Sequence, residues 1–224
     1  ILLGFPEVDD ATGGLYPGEV TVLAGGEGTG KTTWCLTSVR NMAKAMKRVV
    51  YFTLEQTQEE IIRSLTAMET GIFRSKLKAF KLSDAQFTLF TKAAGEIGNW
   101  PLDIVDEFPT LSPLQLRRKA RSLMQKGDID LLMIDGLWLM EANEPTRERW
   151  RDVATIMRDL NQIARDFNVP LLITHQYSAD IKNADHPTLY HLAESSGVRR
   201  NAQMIWALHR GQKYGEAEEV TYLH

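Results

Sequence analysis

An α/β fold, a mostly parallel twisted sheet with helices on both faces, is the architecture this 224-residue sequence predicts. Three observations carry it. Apolar runs at 49–54, 131–134 and 169–174 show no apolar–polar alternation, as expected of strands buried on both faces. They are separated by stretches with helical spacing, and strands alternating with helices build parallel sheets. The third is a glycine-rich stretch, Gly25-Gly26-Glu27-Gly28-Thr29-Gly30-Lys31-Thr32-Thr33, lying between an apolar strand and a helix. It fits the phosphate-loop pattern G-x-x-x-x-G-K-[ST], which makes the fold of the P-loop NTPase kind.

The elements follow in order. Residues 1–18 form a lead-in segment, loop-rich to about 15, with Gly4 and Gly13-Gly14, and Pro17-Gly18 marks a turn. A short buried strand at 19–24 enters the phosphate loop, and a helix over 34–45 leaves it. A second buried strand spans 48–54, β-branched and aromatic, with Glu55 at its carboxy-terminal end. The spacing of Ile61, Ile62, Leu65 and Met68 predicts a helix over 57–68. Ser83-Asp84 caps another to about 97, with Phe87, Phe90 and Ala94 on one face. A short strand at 101–105 precedes a basic helix opened by Ser112-Pro113 and carrying Arg117, Arg118, Lys119 and Arg121. Gly127-Asp128 breaks it before the strand at 129–135. A loop at 141–146 leads to a long helix over 147–167, its inner stripe Trp150, Val153, Ile156-Met157, Leu160 and Ile163-Ala164. A strand over 168–174 ends at His175-Gln176. Residues 177–190 are polar and read as a loop, and two further strands are expected at 204–208 and 219–223. With no internal repeat, low-complexity tract or linker, a single domain over 1–224 is expected.

Composition narrows the functional classes. A hydrophobic content of 43% with 25% charged residues is ordinary for a soluble globular chain, and the formal net charge of −3 advertises no global polyanion-binding surface. No apolar run approaches the ~20 residues that span a bilayer. The single cysteine, Cys35, excludes an intramolecular disulfide and reads as an apolar filler in a reducing compartment.

The chemistry gathers around the glycine-rich loop. Its residues 25–33 would cradle nucleotide phosphates with backbone N–H groups at a helix's positive end. Lys31 would reach the β- and γ-phosphate oxygens, and Thr32 would hold Mg²⁺. Asp135 ends an apolar run and reads as the carboxylate of the Mg²⁺ shell, or as a turn cap. Glu55, at the neighbouring strand end, would orient or deprotonate the attacking water, or be a solvated strand-end acid. Gln176 would sense the γ-phosphate. His175, one position earlier, reads as structural.

Taken together, the Gly-Thr-Gly-Lys-Thr-Thr loop, Phe-Thr-Leu-Glu at 52–55, Leu-Met-Ile-Asp-Gly-Leu-Trp-Leu-Met at 132–140, Val-Pro-Leu-Leu-Ile-Thr-His-Gln at 169–176 and Glu-Ser-Ser-Gly at 194–197 resemble the RecA-like motor domain of DnaB-type replicative helicases. The mitochondrial Twinkle helicase and phage primase-helicases are similar. The resemblance runs from about residue 13 to 210. It implies ATP and Mg²⁺ as cofactors, single-stranded DNA as partner and assembly into a homo-hexamer. It makes Glu55 the catalytic glutamate, Asp135 the Mg²⁺-shell aspartate and Gln176, with Lys31, part of the catalytic set. The segments after Asp135 and Gln176 match loops that line the DNA channel, which makes Arg147, Arg149, Lys182, Arg199 and Arg200 candidate DNA contacts. Residence in the cytoplasm of a bacterial or phage-infected cell follows from the resemblance, with the mitochondrial matrix or nucleoid also open.

This sequence departs from the family in places. The first channel loop carries Glu141, Glu144 and Glu148, and Arg199-Arg200 stands where DnaB is more acidic or neutral. The family's Lys-x-Arg element, which reaches a neighbouring subunit's γ-phosphate, has no counterpart before His224, so slow ATP hydrolysis by the chain as given is expected. A KaiC- or RadA-like regulatory or recombination ATPase is the alternative, and a small-molecule P-loop kinase a third. Glu55 followed by Gln56, rather than by a second acid, favours the helicase reading.

Overall fold

Runs that lack alternation become the middle of the sheet, since a strand with neighbours on both edges and helices on both faces leaves no side for water. The computed structural model describes residues 1–107, 109–177, 188–192, 195–211 and 220–223. Along them lie α1 (Pro6–Thr12), β1 (Val20–Gly25), α2 (Lys31–Lys44), β2 (Val49–Thr53), α3 (Gln58–Thr70), α4 (Arg74–Ala79), α5 (Asp84–Gly98) and β3 (Leu102–Val105). Then come α6 (Pro113–Met124), β4 (Leu131–Asp135), a 3₁₀ turn (Leu137–Leu139), α7 (Arg149–Phe167), β5 (Leu171–Gln176), a further 3₁₀ turn (Leu189–His191), α8 (Ser195–Asn201), β6 (Met204–Gly211) and β7 (Val220–Leu223). The sheet order is β3-β2-β4-β5-β1-β6-β7, parallel throughout except for β7, which runs antiparallel along β6. The predicted parallel sheet is the one observed. Because its inner strands are parallel, their carboxy-terminal ends share one edge, where ligands of such sheets bind.

The period-2 geometry of strands sorts the core into two layers. Val20, Val22, Val50, Phe52, Leu132 and Ile134 pack toward α6 and α7. Leu23, Tyr51, Leu131, Met133 and Leu172 pack toward α2, α3 and the amino-terminal segment. Helix α7 seals its side by burying Val153, Ile156, Met157, Leu160, Ile163 and Ala164. Each large apolar side chain so buried contributes about 1.5–3 kcal/mol. Capping boxes at Thr57/Glu60, Ser83/Gln86 and Ser112/Gln115 start α3, α5 and α6 at the expected places.

Several expectations are corrected. The lead-in contains a helix, α1, and is docked rather than loose. The Asp9 carboxylate accepts the backbone N–H groups of Leu3, Gly4 and Phe5 at 2.8, 2.8 and 3.1 Å. Phe5 stacks on Trp34, centroids 4.9 Å apart. Helices α4 and α8 were not expected from the pattern. Trp150 is 50% exposed and Phe87 49% exposed. In the first turn of α7 it is Asp152 that turns inward, accepting from Thr146 N and Oγ1 at 2.9 and 2.8 Å, while Trp150 lies against the Arg151 guanidinium. Phe87 packs instead against Phe80 and Phe90 on the outside of α5, whose buried face is Ala93 and Ile97. Of the expected 177–190 loop, residues 178–187 lie outside the described residues.

Asp9 is 8% exposed and serves three backbone donors. Asp9→Ala is expected to lower stability by about 2 kcal/mol, read as a lower urea midpoint at unchanged slope.

Candidate nucleotide-binding site

Strand β1 delivers Gly25 to the edge of the sheet, and six residues later α2 begins at Lys31. In between, the chain must turn its N–H groups inward. Gly28 and Gly30 do this at φ 73° and 97°, in the left-handed region, with open space where a Cβ would stand. The glycines are there for the backbone rather than for room. Thr29 Oγ1 braces the loop by donating to Gly26 O at 2.8 Å, while Glu27 and Thr33 face outward. The free N–H groups and the dipole of a 14-residue helix then converge on one point.

Lys31 folds over that loop, its Nζ donating to Gly25 O and Gly26 O at 2.9 Å each. It is 8% exposed. Burial pulls its pKa down, and the charges of Asp135 and Glu55 work in the other direction. A cation so placed, held by two carbonyls, has stronger partners available in phosphate oxygens.

Asp135 closes the site from the neighbouring strands. It is 2% exposed and accepts three hydroxyls: Thr32 Oγ1 at 2.8 Å and Tyr51 Oη at 2.9 Å on Oδ2, and Thr174 Oγ1 at 2.6 Å on Oδ1. Strand register makes this meeting automatic, since Thr53 pairs with Asp135 across β2 and β4. Tyr51 is pushed well above its ordinary pKa by burial and by the Asp135 charge, so it stays a donor. Leu54 N bonds to Asp135 O at 2.8 Å, which brings Glu55 to the same end of the sheet. Burial and the Asp135 charge raise the Glu55 pKa, and a hydrogen bond from Trp138 opposes them. Gln176 pairs in register with Gly25, level with the mouth of the loop, whereas His175 pairs with Ala24 one step inward and is fully buried.

A glycine-rich loop, a hydroxyl–carboxylate pair and two polar strand ends therefore meet at one edge of a parallel sheet. The profile of the DnaB-like helicase C-terminal domain matches residues 1–222. The chain belongs to that family. Two DnaB-type relatives show its reach. A probable replicative DNA helicase of Trieres chinensis is 29% identical over 221 residues, 96% of this chain and 48% of the relative. The replicative DNA helicase DnaB of Leifsonia xyli subsp. xyli is 28% identical over 233 residues, 99% and 50%. The chain thus spans about half the length of these relatives. Among solved structures, a DnaB-like replicative helicase, described with its interactions with primase, superposes with a TM-score of 0.89 at 26% identity, covering 99% of this chain and 57% of that one. A second, solved as an ATPase domain, superposes with a TM-score of 0.91 at 26% identity, covering 99% and 81%.

Among the described residues, the cations matched to the DnaB-type channel loops do not form one cluster. Arg147 is exposed on the 141–148 segment. Arg149 points back instead, donating to Met140 O at 2.8 Å, Trp138 O at 3.1 Å and Leu137 O at 3.2 Å. Arg199 and Arg200 lie on α8, and Lys182 lies outside the described residues. Arg200 borders a shallow polar pocket with Arg158, Arg165 and Gln203. Gln203 accepts from Val20 N, so that pocket is at the amino-terminal end of β1, away from the phosphate loop. The basic helix α6 behaves as a solvated face: Arg117 pairs with Asp166 at 2.6 Å, Lys119 pairs with Glu107, and Arg121 lies over the Phe167 ring. Among the described residues no cluster of three or more His, Cys, Asp or Glu could hold a metal, and no helix is long and apolar enough to cross a membrane.

Sequence reasoning missed Tyr51, Thr174 and Trp138. The signal was present for the first two, since a hydroxyl inside a fully buried run needs a partner. Removing one hydroxyl tests how far Asp135 depends on them. Tyr51→Phe is expected to cost about 1.5–3 kcal/mol, as for a hydrogen bond to a charged group, measured by chemical denaturation with the far-UV spectrum unchanged.

Proposed function

We propose that this domain is the ATP-hydrolysing motor of a replicative DNA helicase, working on single-stranded DNA as part of a homo-hexameric ring. The observation that carries the reading is the meeting of Lys31, Thr32, Asp135, Glu55 and Gln176 around the head of α2. The family placement favours it over a KaiC- or RadA-like regulatory ATPase.

The roles follow from position. The loop 25–33 binds the phosphates through its N–H groups, with the Thr33 N–H on the first turn of α2. Lys31 exchanges the carbonyls of Gly25 and Gly26 for β- and γ-phosphate oxygens. Thr32 and Asp135, already 2.8 Å apart, are the hydroxyl and carboxylate that would hold Mg²⁺. Bound there, Mg²⁺ would neutralise charge developing on the β- and γ-phosphates. Glu55 accepts the proton of the attacking water, a task helped by a pKa raised through burial and the Asp135 charge. Gln176, beside Gly25, contacts the γ-phosphate and is continuous with the segment that follows β5. Arg147, Lys182, Arg199 and Arg200 are the cations proposed to meet DNA phosphates, their weak individual attraction repeated around the ring.

The decisive assay is ATP turnover with and without single-stranded DNA. Turnover is expected to rise several-fold with DNA and to fall at least a hundredfold in Glu55→Gln. Turnover indifferent to DNA in the full-length protein would exclude a nucleic-acid motor.

A further inference from the structure

One aromatic side chain touches both halves of the site. The Lys31 ammonium lies 5.6 Å from the centroid of the Trp138 ring, and Trp138 also pulls the Glu55 pKa down against the burial and the Asp135 charge that raise it. Indole nitrogen only donates, so Trp138 Nε1–H is the group on this side chain that can give to the carboxylate. Trp138 is half-buried in the 3₁₀ turn that follows Asp135. That turn is fastened from outside by Arg149, which donates to the carbonyls of Leu137, Trp138 and Met140.

Space for the ring comes from Gly136. Its φ of −150° is extended backbone that any residue adopts, so conformation does not demand glycine here. Room does. A Cβ at this position would lie 2.1 Å from Trp138 Cζ3, 2.3 Å from Cη2 and 2.7 Å from Thr174 Oγ1. A methyl group would have to displace the ring, or the hydroxyl that serves Asp135.

We propose that Trp138 is a positioning residue that sets the separation of Lys31 and Glu55, its ring facing the ammonium and its indole N–H holding the carboxylate, with Gly136 as the gap that admits it. The proposal rests on the reading of Glu55 as the group that activates water. Glu55 is exposed on the turn after β2, where one directed hydrogen bond from the indole would select among its rotamers. The electron-rich ring face attracts the ammonium without competing for its donors, which remain free for oxygen partners. Trp138 touches neither phosphate nor water in this scheme and acts through its two neighbours. Misplacing a reacting group by about 1 Å costs up to about a hundredfold in rate, so a small adjustment here has leverage.

The test pairs a spectroscopic readout with kinetics. The sequence holds five tryptophans, so protein labelled with 5-fluorotryptophan gives a short ¹⁹F spectrum in which the Trp138 signal is the one lost in Trp138→Phe. Glu55→Ala, Lys31→Met and Gly136→Ala are each expected to shift that signal more than those of Trp34, Trp100, Trp150 and Trp206. Trp138→Phe keeps a ring but loses the N–H; it is expected to lower kcat about tenfold, the size of one hydrogen bond to a charged group, with KM for ATP within about twofold. A Trp138 signal indifferent to both Glu55→Ala and Lys31→Met overturns the proposal. So does wild-type kcat in Trp138→Phe when Glu55→Gln abolishes turnover, and in that case the function proposed above still stands. Turnover that survives Glu55→Gln strikes the function reading itself.

Discussion

A buried carboxylate is the constraint on which the site depends. Asp135 sits at the end of β4 with 2% of its surface exposed, and an ionised group moved there from water loses several kcal/mol of solvation. Three hydroxyls offset that loss, and they come from three different elements: Thr32 from the first turn of α2, Tyr51 from β2 and Thr174 from β5. Lys31 adds a nearby positive charge, itself buried. The arrangement is reciprocal. Burial and the charge of Asp135 keep the Tyr51 hydroxyl protonated, and that hydroxyl is one of the three donors Asp135 accepts. No member of the set is comfortable alone, so the strand ends and the helix head are held in one geometry.

Parallel pairing explains why these elements can meet. In a parallel sheet every strand finishes at the same edge, and each register pair fixes which residues finish together. Gly25 pairs with Gln176 and Thr53 with Asp135. The phosphate loop, the strand-end acid of β4 and the polar end of β5 are therefore level before any side chain is placed. Glu55 reaches the same level because Leu54 continues the bonding to Asp135 by one further backbone contact of 2.8 Å. Insertion of a single residue in β2 would carry Glu55 past the site and swap the side chains packed on the two faces of the sheet.

Much of this was legible in the sequence, and the reason is local. Unbroken apolar runs mark inner strands, and the glycine pattern marks the phosphate loop with its Lys31 and Thr32. Asp135 and Glu55 stand out as acids at the ends of apolar runs. The capped starts of α5 and α6 were legible through Ser83 and Ser112 for the same reason. What escaped depended on contacts that leave no periodic mark, some of them distant in the chain. Helix α1 is held by Asp9 reaching back to Leu3, Gly4 and Phe5 and by Phe5 stacking on Trp34, none of which gives a periodic signal. Trp150 and Phe87 obeyed helical spacing and still faced outward, because spacing gives a face but not where along its length a helix leaves the core. Tyr51 and Thr174 looked like strand filler, since the acid they serve lies 84 and 39 positions away.

Arg149 shows the same limit for surface charge. Counting residues in the 141–148 segment and the helix start gives cations and acids in near balance, and Arg149 would be scored as available to a polyanion. Its guanidinium instead bonds three carbonyls of the preceding turn, and the bond to Met140 O at 2.8 Å pins one end of the segment to the other. Thr146 is likewise tied to Asp152, and Glu148 to Arg151 at 2.5 Å. The charge of Arg149 persists, but its donors point inward, and Arg147 is left as the exposed cation among Glu141 and Glu144. A segment so constituted attracts phosphate weakly by its own side chains. Any hold it has on a nucleic-acid backbone must then come from repetition around an assembly and from backbone N–H donors, which a count of lysines and arginines cannot register.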